Sequence, residues 1–201
     1  MIPLSITKEE VNELPLGQFE GEIFLIDHPE QVDEAVEFLA GQRIIGFDTE
    51  TKPSFRKGEF NHVSLLQLST STQAFLFRLN KIGFPESLRN LMEKENVVKI
   101  GAAVHDDLKG LGKLTDSFYP LSFFDLNDEL KKVGFLNVGV RNLSGMVLKI
   151  RISKSEQVSN WESEILTEKQ QRYAATDAWA CLKIFNLLRE GGYLDTLFNR
   201  Q

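Results

Sequence analysis

The sequence predicts an α/β fold, a mixed central sheet of five to six strands flanked by helices, and three observations carry that expectation. Two apolar runs, 63–69 and 73–77, stand either side of the short turn segment STST and read as an antiparallel pair of strands. After them, strand-like runs at 97–104 and 123–126 alternate with helical stretches, the first being DDLKGLGKL. A long helical pattern then covers about 167–190. Antiparallel pairing early, followed by strand and helix in alternation, suits a mixed sheet covered by helices.

The remaining elements follow in order. Residues 7–14 read as a short helix and 19–27, FEGEIFLID, as a first strand. In HPEQVDEAVEFLAGQ the apolar residues Val32, Ala35, Val36 and Leu39 recur at helical spacing, and Gly41 marks a stop. Residues 43–50 form a strand and 85–95 a helix, and several further helices fill the chain before the last one.

The 201 residues suit one domain over 1–201, with a core at about 19–194 and a short extension at 1–18. An apolar content of 42% is enough for a real core, and no repeat or biased segment interrupts it. The single cysteine, Cys181, cannot close an internal disulfide, which fits a reducing compartment. No apolar run approaches a membrane span, and MIPLSITKEEV lacks the basic-then-apolar order of a signal peptide. The expectation is a soluble, cytoplasmic protein without a membrane partner. A net charge of -6 argues against bulk electrostatic attraction to nucleic acid, but leaves room for a local basic strip or for metal ions that reverse the local sign.

The chemistry begins in IIGFDTET, an apolar run that ends in two carboxylates, Asp48 and Glu50. Alternation along a strand puts Ile44, Gly46, Asp48 and Glu50 on one face. The two acids then lie roughly 7 Å apart along the strand and can converge on one cation with room for a second. A strand end dipping into water explains an isolated D-x-E equally well. On the last helix, Tyr173, Asp177, Ala180, Ile184 and Leu187 follow steps of four, three, four and three, so they share one row. Three of the five are apolar, so the row is expected to face inward and Asp177 to be a partly buried charge, which is costly unless paired or metal-bound. Asp106 and Asp107 open a helix, where acids routinely complement the dipole, and Asp125 reads as a helix cap. Spacing alone does not choose among these last three. There is no Gly-rich phosphate loop, H-E-x-x-H, Cys pair or G-x-S-x-G, and the three histidines have no ligand partner at helical spacing. Zinc sites and Ser-His-Asp triads are thereby disfavoured. A surplus of carboxylates at element ends points to hard cations, magnesium or manganese.

Taken in order, these residues resemble the 3′–5′ exonucleases of the DEDD superfamily, which have a ribonuclease H-like fold. FDTE, with Asp48 and Glu50, matches the strand-end D-x-E of that family's first motif. DDLKGL matches the helix-opening second motif with Asp107, Asp106 taking the variable place before it. YAATDAWA, with Tyr173 and Asp177, matches the Y-x-x-x-D of the third. Position 172 is Arg and position 173 is Tyr, which is the pattern of the tyrosine branch. KSEQVSNWESEILTEKQQRYAATDAWA also resembles the segment before the third motif in ribonuclease D and in the Werner syndrome exonuclease domain, and the similarity covers roughly 19–194. Each motif alone is weak; the three in order, on the expected elements, are specific.

The resemblance implies that Asp48, Glu50, Asp107 and Asp177 hold two divalent cations, Mg2+ or Mn2+, with Asp48 between them, Glu50 and Asp177 on the water side and Asp107 on the leaving-group side. It also implies that Tyr173 orients the attacking water. The implied activity is hydrolysis of phosphodiester bonds from a free 3′ end of DNA or RNA, releasing nucleoside 5′-monophosphates. A catalytically silent nucleic-acid-binding scaffold of the same fold is the alternative, and the complete set of acids counts against it. Candidate substrate contacts are Lys52, Phe55 and Arg56 in TKPSFRKGEFNH, with Lys57 and Phe60 beside them, and Lys154 further on. Basic groups there can hold phosphates while a ring stacks on a base, although a solvated loop has equal claim. Trp161 reads as packing.

Overall fold

The computed structural model describes residues 2–56, 58 and 60–195. Six strands form one mixed sheet: β1 (Glu22–Ile26), β2 (Ile44–Thr51), β3 (Val63–Ser69), β4 (Gln73–Phe77), β5 (Val98–Gly101) and β6 (Phe123–Asp125). Their order across the sheet is β1-β4-β3-β2-β5-β6. β2–β3 and β3–β4 are antiparallel, while β1–β4, β2–β5 and β5–β6 are parallel. The helices are α1 (Lys8–Glu13), α2 (Val32–Ala40), α3 (Leu79–Ile82), α4 (Glu86–Met92), α5 (Val104–Gly112), α6 (Leu126–Lys132), α7 (Val140–Leu143) and α8 (Glu168–Glu190). The sheet of mixed direction, covered on both faces by helices, is the expected class at its upper strand count.

The central strand β3 is buried along its whole length, as a strand between two helical layers must be. Leu66 and Leu68 point into one core layer, with Leu39 of α2 and Leu88 of α4. Leu65 points into the other, with Ala174 of α8 and Trp161. Further along α8, Ala180, Ile184 and Phe185 pack with Ile100 of β5. The inward row of α8 ends sooner than its spacing predicts, because Leu187 is 38% exposed.

Several boundaries differ from the sequence expectation. The first strand begins at Glu22 rather than Phe19, because Phe19 is used as an anchor: its N–H donates to the Thr176 hydroxyl at 3.0 Å and its carbonyl accepts from Arg172 at 2.9 Å. The fifth strand stops at Gly101 instead of running to Val104. Ala103 takes a left-handed conformation with φ 60°, and α5 starts at Val104. Asp125 explains this early start. Its carboxylate accepts from the Ala103 and Val104 N–H groups at 3.0 and 2.8 Å, and from Asn127 N–H at 2.8 Å in α6. The cap expected of Asp125 therefore serves two helices. Thr167 and Gln170 cap α8 reciprocally, which fixes where that long helix begins. No helix among the described residues is long and apolar enough to cross a membrane.

Candidate active site

The acids collect where the parallel strands end. β5 pairs with β2 only as far as Gly46, so Asp48 and Glu50 lie on β2 beyond its neighbour. Ends of parallel strands, left open by divergence of the chain, are natural places for a site. Gly46 brings α8 down onto this strand. A Cβ there would lie 2.0 Å from the Ala178 carbonyl oxygen, so only glycine lets the helix backbone come this close. That approach carries Asp177 over the strand end. The carboxylate oxygens of Asp48, Glu50 and Asp177 come within 4.8 Å of one another.

Burial and mutual repulsion work against ionising this cluster. Asp48 is held well above the usual carboxylate range, by burial first and then by Asp177, Glu50 and Asp107. Glu50 is pushed up to about 9 by burial and then by Asp177 and Asp107. Asp177 is pushed up to about 7 by burial, against a hydrogen bond from the Tyr173 hydroxyl that favours its charged form. The Tyr173 phenol is itself raised, by burial and by the surrounding acids. Trp161, fully buried, backs the Tyr173 ring at a centroid distance of 6.0 Å, which is the packing role expected of it. Among the described residues, no lysine or arginine forms an ion pair with Asp48, Glu50 or Asp177.

Asp107 stands slightly apart. Its carboxylate accepts a hydrogen bond from the Thr49 hydroxyl, and burial pushes it up to about 6. Asp106 beside it is exposed. Asp107 opens into a cavity of about 330 Å³ that it shares with Thr49, His62, Lys109 and Lys113. Asp48, Tyr173 and Asp177 open into a second cleft of about 300 Å³, together with Arg141, Asn142, Lys154 and Gln157. Lys154 is thus at the site. Lys52 is engaged in an ion pair with Glu162 at 3.1 Å. Phe55 is 84% exposed and Arg56 is exposed on the same loop, and neither lines the two clefts that hold the acids. Lys57 lies outside the described residues.

Sequence reasoning passed over Thr49, Gly46, Arg141 and Glu162. A glycine inside an apolar strand was a readable sign of close backbone approach. Thr49, Arg141 and Glu162 carry no local signal, since their partners come from distant parts of the chain.

The family model described as 3′–5′ exonuclease matches residues 23–191. The chain belongs to the 3′–5′ exonuclease family. It is 34% identical over 159 residues to the bifunctional 3′–5′ exonuclease/ATP-dependent helicase WRN of Mus musculus, covering 75% of this chain and 11% of that protein. A 3′–5′ exonuclease of Arabidopsis thaliana is 29% identical over 160 residues, covering 75% of this chain and 54% of the relative. The chain spans little more than half, and often far less, of the curated relatives it matches. In structure it is similar to the Aedes aegypti Nibbler EXO domain, with TM-score 0.80 and 24% identity over 90% of this chain and 94% of that one. Escherichia coli RNase D superimposes with TM-score 0.74 and 21% identity over 86% of this chain and 47% of that one. The fold is accordingly ribonuclease H-like.

Proposed function

We propose that this chain is a metal-dependent 3′–5′ exonuclease that hydrolyses phosphodiester bonds of nucleic acid and releases nucleoside 5′-monophosphates. One observation carries the reading. Three carboxylates whose oxygens lie within 4.8 Å of one another are gathered at a half-buried strand end with no ion-pair partner among the described residues. Such a cluster is costly to hold ionised unless cations occupy it. Its all-oxygen donor set fits Mg2+ or Mn2+ better than softer metals.

Asp48, Glu50 and Asp177 would hold the cations, with Asp107 contributing from the far side of Thr49. When bound, two such cations supply positive charge to both the attacking and the departing oxygen of the phosphodiester. Tyr173 keeps its proton at neutral pH, since burial and its acidic neighbours raise its phenol. It therefore acts as a donor that orients, and not as a base. Its hydroxyl donates to Asp177 on the wall of the cleft that also holds Lys154 and Arg141. Those two cations suit the phosphates of an incoming strand. Phe55 and Arg56, exposed on the loop after β2, suit a base and a phosphate of the same strand.

The test is a degradation assay on 5′-end-labelled DNA and RNA, single-stranded and recessed, with magnesium, manganese or chelator. Stepwise shortening from the 3′ end that requires metal is expected. Protein that binds these substrates and leaves all of them intact under both metals would favour the scaffold reading instead.

A further inference from the structure

Residues 2–19 precede β1 and lie outside the stretch that the family model matches, 23–191. They are tied to the domain along one side. Leu136 N–H donates to the Leu4 carbonyl at 2.8 Å, and Ile6 N–H to the Asn137 side chain at 3.1 Å. Arg151 N–H donates to the Pro15 carbonyl at 2.8 Å, and Gly17 N–H donates to the Arg151 carbonyl at 3.0 Å. Between these ties Gly145 lies against Ile6, Val11 and Leu14, where an added Cβ would come within 3.0–3.2 Å of them. The segment thus runs along 136–151. That stretch carries much of one wall of the active-site cleft. Apart from Asp48, Tyr173 and Asp177, the residues lining the cleft of about 300 Å³ all fall within 139–157.

One contact passes from this segment to a side chain of the cleft itself. Arg141 donates from Nη2 to Asn12 Oδ1 at 2.9 Å. A guanidinium only donates, so the amide must turn its oxygen toward it. The place of Asn12 is set by its neighbours on α1. Val11 is 1% exposed, and Thr7 and Glu10 cap the helix reciprocally. Among the described residues Arg141 forms no ion pair. Asn12 is neutral, so it holds the guanidinium and leaves its charge uncancelled. An aspartate in the same place would also hold it, but as an ion pair.

We propose that Asn12 is a positioning residue for Arg141: it holds the guanidinium at the cleft wall with its charge free for a backbone phosphate of the bound strand. A segment outside the matched family region then takes part in substrate recognition. The proposal rests on the exonuclease reading for its ligand, and on the recorded hydrogen bond for its geometry. A guanidinium fixed in advance loses less freedom when a phosphate arrives, which lowers the cost of binding.

The experiment uses the full chain with Asn12→Asp, Asn12→Ala, Arg141→Gln and the double variant of Asn12→Asp with Arg141→Gln. Affinity for a fluorescein-labelled single-stranded oligonucleotide, DNA and RNA in separate arms, is read by anisotropy in chelator over a series of salt concentrations. KM and kcat with magnesium are the second reading, and urea unfolding checks each fold. Asn12→Asp is expected to weaken binding about 10-fold and to flatten the slope of log affinity against log salt by about 0.7, the share of one phosphate on a single strand. Asn12→Ala keeps the charge and frees the side chain, so a loss of about 3-fold with an unchanged slope is expected. KM should rise in proportion in both, with kcat held, because the contact is made equally in the ground and transition states. In the Arg141→Gln background Asn12→Asp should change nothing further, since the two residues act through one group. A merely structural Asn12 gives the opposite order: the aspartate, alike in shape, binds as wild type does, and the alanine loses stability along with affinity. That order overturns the proposal. So does a loss from Asn12→Asp that persists in the Arg141→Gln background, which would be general repulsion by the added charge. A wild-type protein that binds oligonucleotide but shortens none removes the exonuclease reading and leaves this comparison standing. One that neither binds nor shortens them overturns both.

Discussion

Glu50→Gln should stabilise the metal-free protein at neutral pH. Glu50 titrates at about 9 in the fold against an ordinary 4.5, because it is buried and faces Asp177 and Asp107. A carboxyl raised in this way contributes stability that is fully present below its unfolded value and is lost as pH climbs through its folded one. From about pH 4.5 to about pH 7.5 the folded state must retain a proton that the unfolded chain releases, at about 1.4 kcal/mol per pH unit, or about 4 kcal/mol in all. Solvent relaxation at a half-buried group reduces this, and about 2 kcal/mol is a sound expectation. For a chain of this size that is a rise in Tm of about 4–8 °C. Glutamine cannot ionise, so the variant should gain nothing at about pH 4.5 and progressively more as pH rises toward about pH 9. The measurement is thermal unfolding in chelator across that range, with the difference between the two proteins as the quantity read, because carboxylates elsewhere titrate equally in both. Adding magnesium should raise the Tm of wild type more than that of the variant. A difference that is flat with pH, or a variant less stable at neutral pH, would show that Glu50 is not strained by its neighbours and would refute the cluster argument.

The other expectations concern turnover and the helix that completes the site. Asp48→Ala and Asp177→Ala should each abolish degradation while metal-free Tm holds or rises; near wild-type turnover in either removes that residue from the site. Asp107→Asn should lose activity where Asp106→Asn is tolerated, since Asp107 is the partly buried member that bonds Thr49, and the reverse result would shift the assignment by one residue. Tyr173→Phe should slow single-turnover degradation by about 10- to 1000-fold with manganese affinity little changed, and an unchanged rate would reduce Tyr173 to core packing. Gly46→Ala should cost about 1–3 kcal/mol in urea unfolding and also lower turnover, because the added methyl would meet the Ala178 carbonyl at 2.0 Å and lift α8 with Asp177 on it.

The parts of the site that could be read from the sequence are those whose signal is local. Asp48 and Glu50 announce themselves because alternation places both on one face of an apolar strand, and Tyr173 and Asp177 because four residues make one helical turn. Strands β3 and β4 were legible to the residue, since a short polar turn separates two continuous apolar runs. The start of α5 was not, because it is set by the Asp125 carboxylate, which lies 21 residues beyond the Val104 N–H it binds. For the same reason the sequence could list Lys52 as a free cation, when Glu162, brought in by the segment before α8, is paired with it. Asp107 was found by motif order alone. No periodicity links it to Thr49, the residue that holds it.

The fold resists the repulsion of its own acids through contacts that reach the backbone. Arg172 donates to the carbonyls of Phe19 and Gly21, and Thr176 joins Phe19 N–H to the Arg172 carbonyl, so α8 is tied to the segment before β1 on both sides of Tyr173. Arg78, fully buried at the end of β4, donates to the carbonyls of Ser163 and Glu164 and thereby pins the segment that carries Trp161 and Glu162. Trp161 then supports the Tyr173 ring, and Glu162 holds Lys52 near the end of β2. The bonds of Arg172, Thr176 and Arg78 reach main-chain atoms and involve none of the clustered acids, so they hold α8 to the segment before β1, and the segment before α8 to the end of β4, whatever the charge state of Asp48, Glu50 and Asp177. The acids can therefore remain strained and close together without pushing the helix from the strand, which is the condition a cluster must meet if cations are to find it already assembled.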